Sequence, residues 1–285
     1  MHVEVHTYEA GRTSWATCFD TRAFVARLVR HRELVVQMIG RTIAGRYRGS
    51  FLGLGWTVLQ PLLMLAVYTY VFGVVFKARW TPEGGSQMEF ALTVFCGLIP
   101  FNLLSECAAT APGTIVGSAN YVKRVVFPLE LLPVVVVGSA LVVAAVNTLV
   151  LLAAELCLVG VPPVSALLLP LAFVPCTLLA LAISWFLAAF GVFVRDTASL
   201  VAFVTQVAFF VTPIVYPEQA VPERFRVLVH LNPMTALVDT WRGLALGVMP
   251  VPWLRATIVT VAAALLAVAA RAVFVRSQRA FADVV

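Results

Sequence analysis

Residues 131–159 read LLPVVVVGSALVVAAVNTLVLLAAELCLV, and Glu155 is the one charged side chain among them. About 20 apolar residues in helical form cross the roughly 30 Å hydrocarbon core of a bilayer. This run therefore reads as a membrane-crossing helix. Others flank it. Thr57 to Phe76 holds no charge. Phe90 to Ala111 holds only Glu106. Val164 to Val194 holds no charge, with Pro170 and Pro175 as expected kink points. Thr197 to Tyr216 follows the minimal charged turn Arg195-Asp196, and Trp253 to Val275 is the last run, flanked by Arg255 and Arg271. Six spans result.

Composition agrees with the runs. Of 285 residues, 61% are hydrophobic and 12% charged, against about 45–50% and about 25% in soluble domains. A water-soluble fold cannot hide that much apolar surface behind a polar exterior. Disordered chains, disulfide scaffolds and ordinary soluble enzymes are excluded. The fold class is an all-α membrane protein. The net charge of +6 points to anionic lipid headgroups as partners and not to nucleic acid. The five cysteines include no C-x-x-C pair, so no zinc ribbon or thioredoxin-type motif is expected. The first fifty residues are charged throughout and lack a short apolar core, so no cleavable signal peptide is expected.

Outside the spans, residues 1–21 form a polar tail. Residues 22–48 read as an amphipathic interface helix. Phe24, Val25, Leu28, Val35, Met38, Ile39 and Ile43 share one arc and Arg27, Arg30, Glu33, Gln37 and Arg41 the other, with Arg32 and Leu34 breaking the pattern. The six-span domain takes residues 49–275, and residues 276–285 close the chain. Within that domain, 217–251 mixes charges, short apolar stretches and helix breakers, as two re-entrant helices would. With both ends cytoplasmic, fourteen cations lie inside and six outside, and positive charge favours the cytoplasmic side.

An ATP-binding loop needs Gly-Lys-Ser/Thr to cradle phosphates. The two lysines, Lys77 and Lys123, follow Phe76 and Val122, so neither serves. The four histidines are scattered and H-E-x-x-H, G-x-S-x-G and G-x-G-x-x-G are missing. No metal, cofactor or catalytic residue is expected in this chain. Glu106 and Glu155 are the acids within spans. Each reads either as lining for a hydrophilic path or as an acid paired with a nearby arginine or backbone donor.

The segment Arg46-Tyr47-Arg48-Gly-Ser-Phe-Leu-Gly-Leu-Gly-Trp56, continuing to Gln60-Pro61, resembles the start of the first span in ABC-2 type permeases. The likeness is greatest to those that export O-antigen polysaccharide, capsule or teichoic acid. Phe127-Pro128-Leu-Glu130-Leu-Leu-Pro133, the Arg195-Asp196 turn, and Pro213-Ile-Val-Tyr216-Pro217 with Asn232-Pro233-Met234 and Asp239-Thr-Trp-Arg242 agree in order and spacing. The resemblance implies the transmembrane subunit of a plasma-membrane exporter. ATP and Mg would then belong to a separate ATP-binding cassette subunit, with a second copy of this chain completing the assembly. It also implies that Asn120, Lys123, Arg124 and Pro128 mark the loop that docks on the ATPase, although a positive-inside anchor explains Lys123 and Arg124 equally well. By the same resemblance, the amphipathic helix from Phe24 to Tyr47 frames a lateral entry for a lipid-linked polysaccharide, and Arg46, Tyr47, Arg48 and Trp56 mark the motif between that helix and the first span. Tyr216, Asn232, Pro233, Asp239 and Arg242 would belong to the outer gate.

Sugar chains carry apolar C–H faces on which aromatic rings can stack without fixing a register. Tyr68, Tyr70, Phe72 and Phe76, and Phe203, Phe209 and Phe210, are candidates for such a path. Lipid, helix packing or the headgroup belt is the competing use of each ring. The runner-up functions are an ABC-2 permease for a small lipid or drug and a membrane-embedded transferase; the latter would need a clustered acid pair that 217–242 lacks.

Overall fold

The computed structural model describes residues 19–75, 87–118 and 128–284. Asn120, Lys123, Arg124 and Phe76 lie outside them. Among the described residues every regular element is helical. Helices α1 (Thr21–Arg30) and α2 (Arg32–Arg46) precede α3 (Trp56–Tyr68), which continues as a π-helical stretch, Thr69–Val75. Then come α4 (Gln87–Thr114), α5 (Leu131–Leu158), α6 (Leu169–Phe193), α7 (Thr197–Val211), α8 (Glu223–Leu231), α9 (Pro233–Ala245) and α10 (Trp253–Val284).

Among the described residues, five segments are long and apolar enough to cross a membrane: Gly53–Phe72, Met88–Thr114, Leu131–Leu158, Val164–Phe193 and Trp253–Gln278. This is a multi-pass membrane protein. The fifth apolar run of the sequence, 197–216, is helical only over the 15 residues of α7; Thr212 is extended and the chain turns through 212–216.

Helix α4 is the hub. Its Leu92, Phe95, Ile99 and Leu103 join Val137, Ala140 and Ala144 of α5, Ala172 and Cys176 of α6 and Trp241 of α9 in the main buried cluster. A second cluster joins α6 and α10 through Ala188, Ala189, Ala267 and Ala270. Lipid gives apolar side chains no reason to leave it, so helices in a bilayer associate where small residues let backbones close up. Gly191 of α6 is the extreme case: an added Cβ would meet the Pro112 backbone of α4, 2.7 Å from its Cα and nearer still to its oxygen. Helices α3 and α7 take little part. Only Pro61 and Leu65 of α3, and Thr197 and Val201 of α7, are buried.

Two local expectations change. The interface helix is two helices meeting at His31, which caps both. The break falls where Arg32 and Leu34 interrupt the amphipathic arc. Of that arc, Phe24, Leu28, Val35, Met38 and Ile39 pack against Leu131 and Val135 of α5, whereas Val25 is exposed. Pro170 does not kink the fourth span. A 3₁₀ turn covers Val164–Leu168, and Pro170 sits in the first turn of α6, where a missing N–H costs nothing because that donor is unpaired in any helix. Pro175 does lie inside α6.

Candidate functional site

The end of α2 and helices α3, α4, α5 and α7 line an open cleft of about 710 Å³. Each wall follows from a sequence feature. Gly49, at φ 83°, and Gly53, at φ 49°, turn the chain between α2 and α3; a side chain is strained at such angles. Trp56 starts α3, and its indole N–H donates to Ser50 Oγ at 2.7 Å, closing the turn. The turn brings Arg46 and Tyr47 to the cleft beside Thr57, Gln60 and Tyr68 of α3. Helix α4 adds Asn102, Ser105 and Glu106, α5 adds Asn147, and α7 adds Thr205.

This lining is unusual for its setting. An unpaired polar group in hydrocarbon costs several kcal/mol by order of magnitude, yet ten polar or charged side chains from five elements line this cleft. The Arg46 guanidinium pairs with the Glu106 carboxylate and reaches Ser139 Oγ at 3.4 Å. Asn147 Oδ1 and Thr57 Oγ1 are shielded and meet no hydrogen-bonding group among the described residues. The cleft can hold a hydroxyl-bearing group at membrane depth: the amides and hydroxyls offer donors and acceptors, and Tyr68, Met64, Phe95 and Leu98 offer apolar contact. Glu106 is thus both paired and lining. Glu155 lies apart from the cleft, buried in the second half of α5, and its Oε2 also meets no partner.

The expected path aromatics separate. Tyr68 reaches the cleft and stacks on Phe72 at 6.2 Å. Phe72 packs on Phe90 at 5.3 Å, and Phe209 meets Phe101 edge-on at 5.5 Å. Tyr70, Phe203 and Phe210 are exposed on the outer faces of their helices. Arg48 is exposed and stands away from the cleft lining.

The residues expected at an outer gate do converge. Asn232 caps α9 by accepting from Met234 N at 2.9 Å, and its Nδ2 donates to Thr212 Oγ1 at 2.9 Å. Pro233 fills the first position of α9. Tyr216 O–H donates to the Phe210 carbonyl at 2.7 Å. Arg242 is 1% exposed. Its Nε donates to the Thr93 carbonyl at 3.1 Å, and its two terminal nitrogens donate to the Pro213 and Ile214 carbonyls at 2.8 and 2.6 Å. One guanidinium thereby fastens α9 and the turn after α7 onto α4. Gly97 makes room, since a Cβ there would lie 2.9 Å from the guanidinium. Asp239 sits one turn before Arg242. Burial pushes its carboxyl up to about 6, and Arg242 pulls it back only in part.

Sequence reasoning missed one cluster. Glu130, at the head of α5, is 4% exposed and accepts from Arg27 Nε at 2.6 Å and Arg271 Nε at 3.1 Å. A lone acid between Pro128 and an apolar run was the available signal; its partners are more than a hundred residues away on either side.

Retaining shielded, unpaired Asn147 and Thr57 costs stability, so removing them separates stability from transport. The N147L variant is expected to melt at or above the wild-type temperature, because an unsatisfied buried group worth about 1–3 kcal/mol is gone, while transport falls. Equal transport by N147L at equal membrane level would remove Asn147 from the site.

A bundle of helices long and apolar enough to cross a bilayer, with a polar, open cleft among them, defines an integral membrane protein. The sequence profile of the family "ABC-2 type transporter" matches residues 33–246, and the chain belongs to that family. It is 28% identical over 222 residues to the O-antigen export system permease protein RfbA of Myxococcus xanthus, covering 77% of this chain and 83% of that one. It is 23% identical over 258 residues to a protein of the same name from Klebsiella pneumoniae, covering 88% and 95%. The residues matched by the family profile contain the cleft and the Arg242 anchor.

Proposed function

We propose that this chain is the transmembrane permease subunit of an ATP-driven exporter that moves a lipid-linked cell-surface polysaccharide across the plasma membrane. The observation that carries the reading is the cleft, whose amides, hydroxyls and one aromatic face suit a sugar and would be a liability in an inert helix bundle. The names of the relatives, each an O-antigen export permease, favour a polysaccharide over a small lipid or drug. Neither lysine sits in a phosphate-cradling loop, so hydrolysis falls to a partner ATP-binding cassette subunit, with ATP and Mg bound there and no cofactor in this chain. ATP binding would close the partner and bias the spans through the docked loop at 120–127, a shift of populations.

Two copies would form the exporter. The nearly unburied α3 and α7 frame the cleft, and a second copy laid against them would close it into a path. The fifth crossing is α7 completed by 212–216, which gives six crossings with both termini cytoplasmic. Helices α8 and α9 then form the re-entrant outer gate within 217–251. The tails are 1–21 and 276–285, the interface helices span 22–48, and the six-span domain spans 49–275.

Two measurements test this. Deleting the ATP-binding subunit, or reversing charge at Lys123 and Arg124, is expected to abolish surface glycan while the permease stays in the membrane; intact glycan display without the subunit overturns the split, and intact display by the charge-reversed variant overturns the docking assignment of that loop. Cysteines at Glu218 or Glu223 are expected to react with an impermeant thiol reagent from outside intact cells. Reaction only after lysis inverts the topology.

A further inference from the structure

The Glu130 cluster has no part in the cleft, yet it joins three elements through one carboxylate. Oε1 is held by Arg27 of α1, and Oε2 by Arg271 of α10, which is itself 1% exposed. The Glu130 carbonyl accepts from the Trp185 indole of α6 at 3.1 Å. Phe24 of α1 lies edge-on to Trp185 at 5.4 Å, and the Arg271 guanidinium stands 4.8 Å over the Phe24 ring. Arg271 also donates to the Asp20 carbonyl at 3.3 Å, and Asp20 Oδ1 caps α1 by accepting from Ala23 N at 2.9 Å.

A buried ion cluster is poor value as plain stabilisation, because apolar replacements of equal volume often do as well; its best-attested use is to fix one arrangement against others. Here the fixed arrangement is that of α1 relative to the feet of α5 and α10. Its position in the chain matters: Glu130 comes three residues after the 119–127 segment and one before α5. Only Pro128 and Leu129 separate Glu130 from that segment along the chain. Apolar packing of Phe24, Leu28, Met38 and Ile39 on Leu131 and Val135 continues the same joint along α2, and α2 ends at Arg46 in the cleft.

We infer that Glu130 is a positioning residue that couples the loop before α5 to the interface helices, so that α1, α5 and α10 move as one body and carry the cleft's Arg46 wall with them. It rests on the reading of residues 120–127 as the ATPase-docking segment. Arg27 is the link that can be cut cleanly. Its side chain is 41% exposed, and removing it leaves Glu130 and Arg271 as a balanced pair.

The test uses the whole complex with its ATP-binding subunit in lipid nanodiscs, with spin labels at the exposed positions Val29 of α1 and Val273 of α10. The wild-type distance distribution is expected to be narrow and the same with and without bound ATP. In R27Q it is expected to broaden, while ATP hydrolysis persists and export in cells falls about tenfold or more, the scale of a coupling free energy of 1–3 kcal/mol. R27K, which keeps a cation, is expected to restore export; a merely structural loss would lower hydrolysis and export together with protein level. Three results each overturn the inference: a wild-type distance that changes on ATP binding, an R27Q distribution like the wild type, or full export by R27Q. If the wild-type complex hydrolyses ATP but moves no polysaccharide, the transport reading fails, and the distance measurements still decide the link.

Discussion

The R242A variant is expected to lose folded protein outright or to melt far below the wild type, with a cost of about 3–5 kcal/mol. The Arg242 guanidinium serves three carbonyls. Two of them, Pro213 and Ile214, lie in the non-helical turn after α7, where no helix hydrogen bond takes over. Deleting the side chain strands these acceptors beside Ile214, which is fully buried. R242K is expected to recover only part of the loss, because an ammonium is a single point and cannot reproduce the planar fork. The control is R224A: Arg224 is exposed on α8, and surface changes of that kind stay within about 0.5 kcal/mol. Thermal unfolding in detergent reads both. Similar melting of R242A and R224A would show that the anchor carries no stability.

G191A is expected to be the most damaging small substitution in the bundle. A methyl group at Gly191 points at backbone, the Cα and carbonyl of Pro112 at 2.7 and 2.9 Å, and backbone cannot rotate away as a side chain end would. Helices α4 and α6 must separate, opening the main cluster between them, which costs about 1–3 kcal/mol or more. Gly113 is the matched control one residue from the contact. Nothing lies within 4 Å of a Cβ there, and replacing a helical glycine with alanine gains up to about 1 kcal/mol of propensity. A fall in melting temperature for G191A against no fall for G113A is the expected pattern. Equal behaviour of the two would mean that the α4–α6 seam tolerates separation.

Much of this architecture is legible in one dimension and much is not, for physical reasons. Runs such as 131–159 announce their helices because a bilayer demands length and apolarity from each span alone. The turn at Arg195-Asp196 and the cap at Asn232 are local chemistry and equally readable. What a single sequence withholds is facing. Glu106 and Arg46 are sixty residues apart, and Glu130 and Arg271 more than twice that, so their pairing depends on how helices rotate against each other. Arg242 counts as one more outer cation in a charge tally, yet it lies in the interior. The aromatic candidates show the same gap, since Tyr68 and Tyr70 are two residues apart and take different faces. Periodicity broke at Arg32 and Leu34, and the structure makes that irregularity a joint between α1 and α2.

Helix α7 has a consequence for the surrounding lipid. Its 15 residues measure about 22 Å along the axis, against a hydrocarbon layer of about 30 Å. If α7 is the fifth crossing, as proposed above, acyl chains beside it must compress or tilt, at fractions of a kcal/mol for each ångström of shortfall. On the proposed six-crossing topology the bilayer would be thinned beside α7, which lines the cleft through Ala202 and Thr205, so a bulky amphiphile approaching that flank would meet compressed lipid.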